Sequence, residues 1–118
     1  MSDKTIKIAY FNTCLNPILG TSFDAFPIYR SKGLLTHLIN RKHFIGAKYI
    51  DKIPDIISAP DYIGIKDNCL ELVKIYNNNI FISIKLDSKN KKYYIATMFD
   101  IKQSKLESYI KSGRLKKT

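Results

Sequence analysis

The feature that most constrains the fold is a run of three strand-like segments in the second half of the chain, joined by two short polar linkers. Residues 69–76, 80–87 and 93–99 are rich in β-branched and aromatic side chains, which is typical of β-strands. The linkers, at 77–79 and 87–92, are too short to hold a crossover helix, so neighbouring segments are expected to pair in antiparallel order. The sequence therefore predicts an antiparallel meander.

Two helical patterns precede the predicted meander. Ser31 is a candidate N-cap for a helix over 32–42, and Gly46 is expected to end this unit. A second pattern covers 47–58, where Pro54 predicts a break or two short turns. The first helix is predicted to bury an apolar stripe formed by Leu34, Leu35, Leu38 and Ile39.

The two ends of the chain complete this outline. Residues 5–11 alternate like a strand, residues 12–28 have no regular pattern, and residues 60–64 turn into an extended segment. A short helix is predicted over 103–111. Gly113 follows it closely, where a left-handed residue commonly ends a helix.

This order of elements indicates an α+β fold in which the helices pack on one face of an antiparallel meander sheet, with N-terminal helices before the strands and a short C-terminal helix after them. A length of 118 residues is typical of one domain. We therefore expect a single domain over 1–118. Within it, residues 1–29 form an N-terminal extension that could carry an edge strand.

The register of the meander decides which side chains share a face. If each linker is centred on its middle residues, Glu71 lies opposite Lys85 and Ser83 lies opposite Thr97. The predicted mixed face then carries Glu71, Val73, Ile75, Phe81, Ser83, Lys85, Tyr93, Ile95, Thr97 and Phe99. The predicted apolar face carries Leu70, Leu72, Ile82, Ile84, Leu86, Ala96 and Met98, along with Lys74 and Tyr94. A slip of one residue would reverse these faces.

Four side chains of the mixed face, which we call the polar strip, are the first candidate site. They are Glu71, Ser83, Lys85 and Thr97. Two interpretations remain open. The strip is either the floor of a ligand cleft or an ordinary solvated face with a cross-strand Glu–Lys pair worth about 0.2–1 kcal/mol.

The charge balance is the clearest clue to a partner. Lys and Arg number 20 against 10 Asp and Glu, and the resulting net charge of +10 attracts phosphate backbones. The three arginines, Arg30, Arg41 and Arg114, are few, which favours backbone contacts over bidentate recognition of bases. The alternative explanation is a compositional bias toward Lys and Ile.

Several function classes find no support in the sequence. Cys14 and Cys69 lack the spacing of a metal site, so we expect no metal and no cofactor. No P-loop, zinc-protease motif, dinucleotide turn or nucleophile elbow is present. No stretch has the length of a membrane span and no signal-peptide pattern is present, which predicts a cytoplasmic protein without membrane contact.

His37 and His43 are the only histidines, and imidazole can take and give a proton near neutral pH. RNA cleavage without metal needs a base for the ribose 2′-hydroxyl, an acid for the departing oxygen and a cation for the phosphorane. On a continuous helix the two rings would diverge, so they converge only if the chain leaves the helix near Lys42. The alternative is that both are structural, His43 as a partner of the helix dipole.

Several motifs, taken in order and spacing, resemble those of phage-associated nucleases described as barnase–EndoU–colicin–RelE-like, the PBECR families. The motifs lie at 31–38, 41–43, 53–64, 71–74, 84–87, 94–99 and 105–115. The most specific parts are Pro-Asp-Tyr-Ile-Gly at 60–64 and Ser-Gly-Arg-Leu-Lys at 112–116. The likeness covers about residues 30–116.

This resemblance implies a fold and a reaction. It implies an N-terminal helical unit on a four-stranded antiparallel sheet. It also implies metal-independent RNA cleavage that leaves a 2′,3′-cyclic phosphate and a 5′-hydroxyl, in a toxin or effector of phage or bacterial conflict, sometimes directed against tRNA.

Site residues are carried over from the resemblance one at a time. His37 and His43 match the histidines of the helical part, and Thr97 matches the hydroxyl residue of the last strand. Lys85 would be the cation that holds the phosphate, with Lys74 as its rival. Arg41 and His43, expected to be adjacent, are separated here by Lys42.

The sequence thus predicts a cytoplasmic endoribonuclease toxin with tRNA as its expected target and an inhibitor or immunity protein as an expected partner. The predicted RNA-binding residues are Arg41, Lys42, Lys74, Ser83, Lys105 and Arg114. One alternative is a non-catalytic RNA- or protein-binding phage accessory protein on the same fold. Another is a DNA-binding regulator, although no helix-turn-helix pair stands out.

Overall fold

The computed structural model describes residues 4–87 and 89–118; residues 1–3 of the predicted extension and Ser88 of the predicted second linker lie outside them. The strands are β1 (Thr5–Tyr10), β2 (Pro27–Ser31), β3 (Tyr62–Lys66), β4 (Cys69–Ile75), β5 (Asn79–Asp87), β6 (Lys92–Ile101) and β7 (Lys116–Lys117). The helices are α1 (Asn16–Leu19), α2 (Leu34–Asn40), α3 (Phe44–Lys48), α4 (Ile53–Ser58) and α5 (Gln103–Lys111), with 3₁₀ turns at Thr13–Leu15 and Ile50–Lys52. Among these helices, none has the length and apolar character to cross a membrane.

The seven strands form one sheet in the order β1-β2-β6-β5-β4-β3-β7. β4, β5 and β6 form the predicted antiparallel meander. The strand β2, however, pairs with β6 in parallel, through Ile28–Tyr93 and Tyr29–Tyr94. The sheet is therefore mixed, and the prediction of a purely antiparallel sheet is wrong. β2 and α1 also show that residues 12–28 are more regular than predicted.

The first hairpin of the meander is shifted by two residues from the predicted register. Glu71 pairs with Ser83 and Cys69 pairs with Lys85, so the predicted pairing of Glu71 with Lys85 is wrong. A shift of two residues leaves each side chain on its predicted face, because strand side chains alternate with a period of two. The predicted pair Ser83–Thr97 of the second hairpin is confirmed.

A β-bulge interrupts this second hairpin. Ser83 pairs with Thr97, but the next residue, Ile84, pairs with Ile95, which leaves Ala96 as an extra residue in β6. In the part of β6 that precedes Ala96, each side chain therefore points to the face opposite the one that simple alternation predicts.

Four face predictions are wrong because of this bulge. Tyr93 and Ile95 lie on the apolar face, where they are buried, whereas Tyr94 lies on the mixed face opposite Lys85. Ala96, predicted for the apolar face, is exposed. Alternation alone assumes an uninterrupted ladder, so it cannot anticipate an inserted residue.

The apolar face of the sheet carries the main core, against which α2 and α4 pack. On α2, Leu34 and Leu38 are buried, but Leu35 and Ile39 are 43% and 46% exposed, so only half of the predicted stripe is correct. The sheet supplies Ile28, Leu70, Leu72, Ile80, Ile82, Ile84, Leu86, Tyr93, Ile95 and Met98 to this core.

The helix boundaries differ from prediction at two small residues. The hydroxyl of Ser31 accepts from the backbone N–H of Gly33 at 3.0 Å, and α2 begins after that turn, so Ser31 is not the N-cap. Gly46 lies inside α3 rather than at the end of a unit. A glycine is needed at this position because a Cβ would meet the Met98 carbonyl oxygen at 2.8 Å. The break predicted around Pro54 is confirmed, since a 3₁₀ turn precedes α4.

α5 packs on the mixed face, so the prediction that the helices share one face of the sheet is wrong. The helix covers the predicted residues, and Gly113 follows it with a left-handed φ of 84°. A second, smaller core forms between helix, tail and sheet from Val73, Phe81, Ile101, Leu106 and Leu115.

Candidate functional site

The mixed face is divided into a covered half and an open half. Phe81 and Phe99 lie in the covered half, beneath α5. The polar strip lies at the border, where Glu71 pairs with Ser83 and Ser83 with Thr97. The strip therefore crosses the three central strands in register, as a site on a rigid sheet requires.

An ion pair between Glu71 and Arg114 closes one end of the polar strip. The Nε and Nη2 atoms of Arg114 donate to the two carboxylate oxygens of Glu71 at 2.8 and 2.6 Å. The side chain of Glu71 is 6% exposed and that of Arg114 is 25% exposed. The hydrogen bond to Glu71 raises the pKa of Arg114, which keeps the guanidinium charged. The guanidinium carbon also lies 4.0 Å from the ring centroid of Tyr109, close enough for a cation–π contact.

Two glycines allow the tail to bring Arg114 into this position. Gly113 turns the chain with its positive φ just after α5. Gly64 on β3 lies against the Arg114 carbonyl oxygen so closely that a Cβ there would overlap that atom. The tail then continues as β7, which pairs with β3 through Lys116 and Lys117.

An open cleft of about 500 Å³ lies beside the ion pair. The cleft is lined by Ile65, Lys66, Ser108, Tyr109, Ser112, Gly113 and Arg114.

Lys85, Ser83 and Thr97 are available to a ligand. The side chain of Lys85 is exposed and forms no hydrogen bond or ion pair within 4–87 and 89–118. Its nearest acidic neighbour on the strand, Asp87, is held by hydrogen bonds from Asn90, which lower the pKa of Asp87. The hydroxyls of Ser83 and Thr97 are partly exposed and have no partner in the described part of the chain. The strip thus offers an ammonium group and two hydroxyls in one place.

The two histidines lie in different surroundings. The ring of His43 stacks on Phe99 of the mixed face, with centroids 5.2 Å apart and an interplanar angle of 28°. His37 lies on an exposed position of α2, a helix that packs on the apolar face through Leu34 and Leu38. Its side chain has no hydrogen bond or ring contact among the described residues. The structure therefore places His43 against Phe99, two residues along β6 from Thr97, and places His37 on the helix layer of the apolar face.

The remaining predicted RNA-binding cations are scattered. Arg41 and Lys42 are exposed just after α2, where Lys42 takes a left-handed φ of 61°. Lys74 lies on the opposite face from Lys85 and donates to the Ala59 carbonyl at 2.9 Å, near Asp61 at 3.5 Å. Lys105 lies on α5 with its ammonium 5.4 Å from the Tyr109 centroid. Only Arg114 of the predicted tail cations reaches the strip.

Sequence reasoning missed the partner role of Glu71 and the aromatic part of the site. Glu71 interrupts the apolar run of β4, which was a usable signal for a paired carboxylate. Its contact with Arg114, 43 positions away, leaves no local pattern. Tyr29 and Tyr94 were also missed, because they become neighbours only through the parallel β2–β6 pairing.

One family model matches most of the chain, including the strands of the site. The model described as phage-Barnase-EndoU-ColicinE5/D-RelE like nuclease3 matches residues 6–108. No curated protein and no solved structure matches the chain significantly. The match begins in β1, before the first of the resembling motifs, and it includes the whole polar strip but not Arg114. Within the described ranges, no three His, Cys, Asp or Glu side chains cluster as metal ligands would.

Proposed function

Because this chain belongs to the phage-Barnase-EndoU-ColicinE5/D-RelE like nuclease family, we propose that it is a metal-independent endoribonuclease that acts at the polar strip. The observation that carries the proposal is that Lys85, Ser83 and Thr97 share one face of the sheet with Glu71, to which Arg114 is bound. Two cations and two hydroxyls are the groups that would hold a phosphodiester.

The proposed reaction uses the nucleophile that RNA itself carries. The ribose 2′-oxygen attacks the phosphorus, the bond from phosphorus to the 5′-oxygen breaks, and a 2′,3′-cyclic phosphate and a 5′-hydroxyl result. One proton leaves the 2′-hydroxyl and one reaches the departing oxygen. The protein then has to supply proton carriers and to stabilise the charge of the phosphorane.

The residues divide these tasks. Lys85 and Arg114 stabilise the phosphorane: the guanidinium of Arg114 is held in place before the reaction starts, and the ammonium of Lys85 has no other partner among the described residues. Glu71 is a positioning residue, since it holds the guanidinium by two hydrogen bonds. Thr97 orients the phosphate. His43, whose ring stacks on Phe99 two residues along β6 from Thr97, is favoured over His37 as the proton carrier.

Cleavage of total tRNA in the presence of EDTA tests the proposal. The expected products are discrete fragments that end in a cyclic phosphate. Lys85→Ala should slow cleavage by about 10²–10³-fold, the usual effect of removing one group that stabilises transition-state charge. His43→Gln should slow it by about 10²–10⁴-fold, the range for a general acid or base.

Two matched controls keep the test specific. Lys74→Ala removes a lysine that is bound to Ala59 on the opposite face, and His37→Gln removes the histidine of the other layer; both should leave the rate within about threefold. A stable complex in which the RNA remains intact would overturn the proposal and favour a non-catalytic RNA-binding protein.

The proposal extends to the cellular role. A nuclease with these properties would act as a toxin or effector in the bacterial cytoplasm, on tRNA, and would be paired with an inhibitor. Induced expression followed by sequencing of RNA ends should show breaks concentrated in tRNA. Breaks spread evenly over all RNA would contradict the tRNA assignment.

A further inference from the structure

We propose that the open half of the mixed face recognises unpaired RNA, by stacking nucleobases on Tyr29 and Tyr94. This inference rests on the proposed function, from which it takes RNA as the ligand. It adds the class of RNA that the site accepts, namely a single strand or an unpaired loop rather than a duplex. The argument comes from the register of the sheet, the exposure of the two rings and the charges beside them.

The register aligns six side chains across six strands of the sheet. The pairs Lys66–Cys69, Cys69–Lys85, Lys85–Tyr94, Tyr94–Tyr29 and Tyr29–Lys7 follow one another from β3 to β1. Paired residues point to the same side of a sheet, and neighbouring strands are about 4.8 Å apart, so this cross-sheet row is about 24 Å long. Cations stand at both ends and beside the rings.

The two tyrosines of the cross-sheet row are accessible rings and not core residues. Their centroids are 6.0 Å apart with an interplanar angle of 34°. Both are partly exposed, and neither belongs to the main or the smaller core. Neither phenol has a hydrogen-bond partner in the part of the chain that is described. Tyr93, the neighbour of Tyr94 in the same strand, is by contrast a core residue with only 1% of its surface exposed.

The charges beside the rings fit a phosphate backbone. The ammonium of Lys92 lies 5.4 Å from the centroid of Tyr29. At the far end of the row, the Lys7 ammonium donates to the hydroxyl of Tyr10 at 2.9 Å and lies 5.0 Å from its ring centroid. Asp87 lies on this part of the face, and its carboxylate is already bound by Asn90. Aromatic rings alternating with lysines are typical of surfaces that bind single strands.

Base stacking explains why a duplex would be excluded. A base must leave its own stack and its pair to place its flat face on a protein ring. Stacking accepts any base, and lysines contact phosphates without identifying bases. The expected specificity is therefore for unpaired structure and not for a base sequence at these positions.

Binding of an RNA that cannot be cleaved tests this inference apart from catalysis. The probe is a fluorescent 12-nucleotide strand whose 2′-hydroxyls are all methylated, compared with the same strand in a duplex. Anisotropy gives the two dissociation constants. Tyr94→Leu and Tyr29→Leu should each weaken single-strand binding about tenfold, within the range for loss of one stacked base, and change duplex binding less than twofold.

Two further variants separate stacking from a structural effect. Tyr94→Phe keeps the ring and should bind within twofold of the original chain, whereas Tyr94→Leu keeps apolar bulk but loses the ring. Phe44→Ala removes an aromatic ring that is 56% exposed elsewhere and should bind the single strand as before. Equal losses for single strand and duplex, or no loss with leucine, would overturn the stacking proposal.

The outcomes for the two proposals are distinguishable. If the leucine variants lose single-strand affinity but no RNA is ever cleaved, the stacking surface stands and the nuclease proposal fails. If RNA is cleaved but the leucine variants bind the methylated strand as well as the original chain, the nuclease proposal stands and the stacking surface fails.

Discussion

The two faces of the sheet are built from the same strands but differ in what their side chains do. The apolar face is covered by helices and carries an uninterrupted core, in which Ile82 and Met98 have no exposed surface. The mixed face is closed by α5 over one half only, and the other half presents lysines, hydroxyls and tyrosine rings. One layer of backbone therefore separates the main core from the face on which we propose that RNA binds.

This difference shows how a small chain can keep charged groups together. Like charges on the same face of a sheet repel and would separate in a flexible segment. Here the backbone that carries Lys66 and Lys85 is fixed by the core on its reverse side. The ion pair of Glu71 with Arg114 lies where the two kinds of environment meet, because it is nearly buried yet faces the cleft.

The largest expected effect comes from removing core volume on the apolar face. Ile82→Ala should lower the free energy of unfolding by about 3 kcal/mol, because the isoleucine is fully buried and its neighbours cannot close the cavity. Urea denaturation measures this change. Affinity of the folded variant for the methylated single strand should stay within twofold, and a larger loss would show that the two faces are not independent.

At the border between the faces, one substitution is expected to change both stability, by a smaller amount, and cleavage. Arg114→Ala should lower the free energy of unfolding by about 2 kcal/mol, because it leaves the Glu71 carboxylate buried without its partner. The cost should be below that of a fully buried pair, since Arg114 is 25% exposed. Cleavage should also fall sharply, because a cation is lost beside the strip.

The double variant Glu71→Leu with Arg114→Met separates these two roles. Apolar replacement of a buried pair is often close to neutral for stability, so unfolding should return to near the original midpoint. Cleavage should remain lost. Recovery of cleavage in the double variant would mean that Arg114 acts through stability alone.

The smallest expected effect compares two adjacent tyrosines on opposite faces. The hydroxyl of Tyr93 is the buried side-chain polar atom that lacks a hydrogen bond within the described residues, and burial raises its pKa. Tyr93→Phe should therefore stabilise the fold by about 1 kcal/mol, since the unpaired hydroxyl is removed. Tyr94→Phe, on the open side, should leave stability unchanged. Destabilisation by Tyr93→Phe in a thermal melt would indicate a partner for that hydroxyl.

Local patterns in the sequence were enough to predict the meander, α5 and the left-handed Gly113. Short polar linkers and alternating side chains depend on neighbours along the chain. The face of Glu71 was also predicted correctly although its register was wrong. The turn closes earlier than assumed, with the Tyr76 N–H donating to the Asn78 carbonyl at 3.0 Å, and a shift by two keeps faces unchanged.

The features that sequence reasoning missed depend on distant partners. β2 is short, begins with a proline and finds its place only beside β6. The packing of α5 on the mixed face and the pairing of Arg114 with Glu71 depend on where the tail returns. Leu35 and Ile39 follow a helical stripe, yet α2 is too lightly covered to bury them. Whether His37 or His43 takes part in catalysis stays a prediction for the cleavage test.

The extra residue Ala96 has a consequence for how this surface could have arisen. Without it, Tyr93 would point to the mixed face and Tyr94 to the core. A single inserted residue therefore decides which of the two tyrosines is buried and which is exposed. Such a change alters the outer chemistry of the sheet while the interior receives the same type of side chain. A variant with Ala96 deleted would show whether the chain still folds when Tyr94 is buried and Tyr93 is exposed.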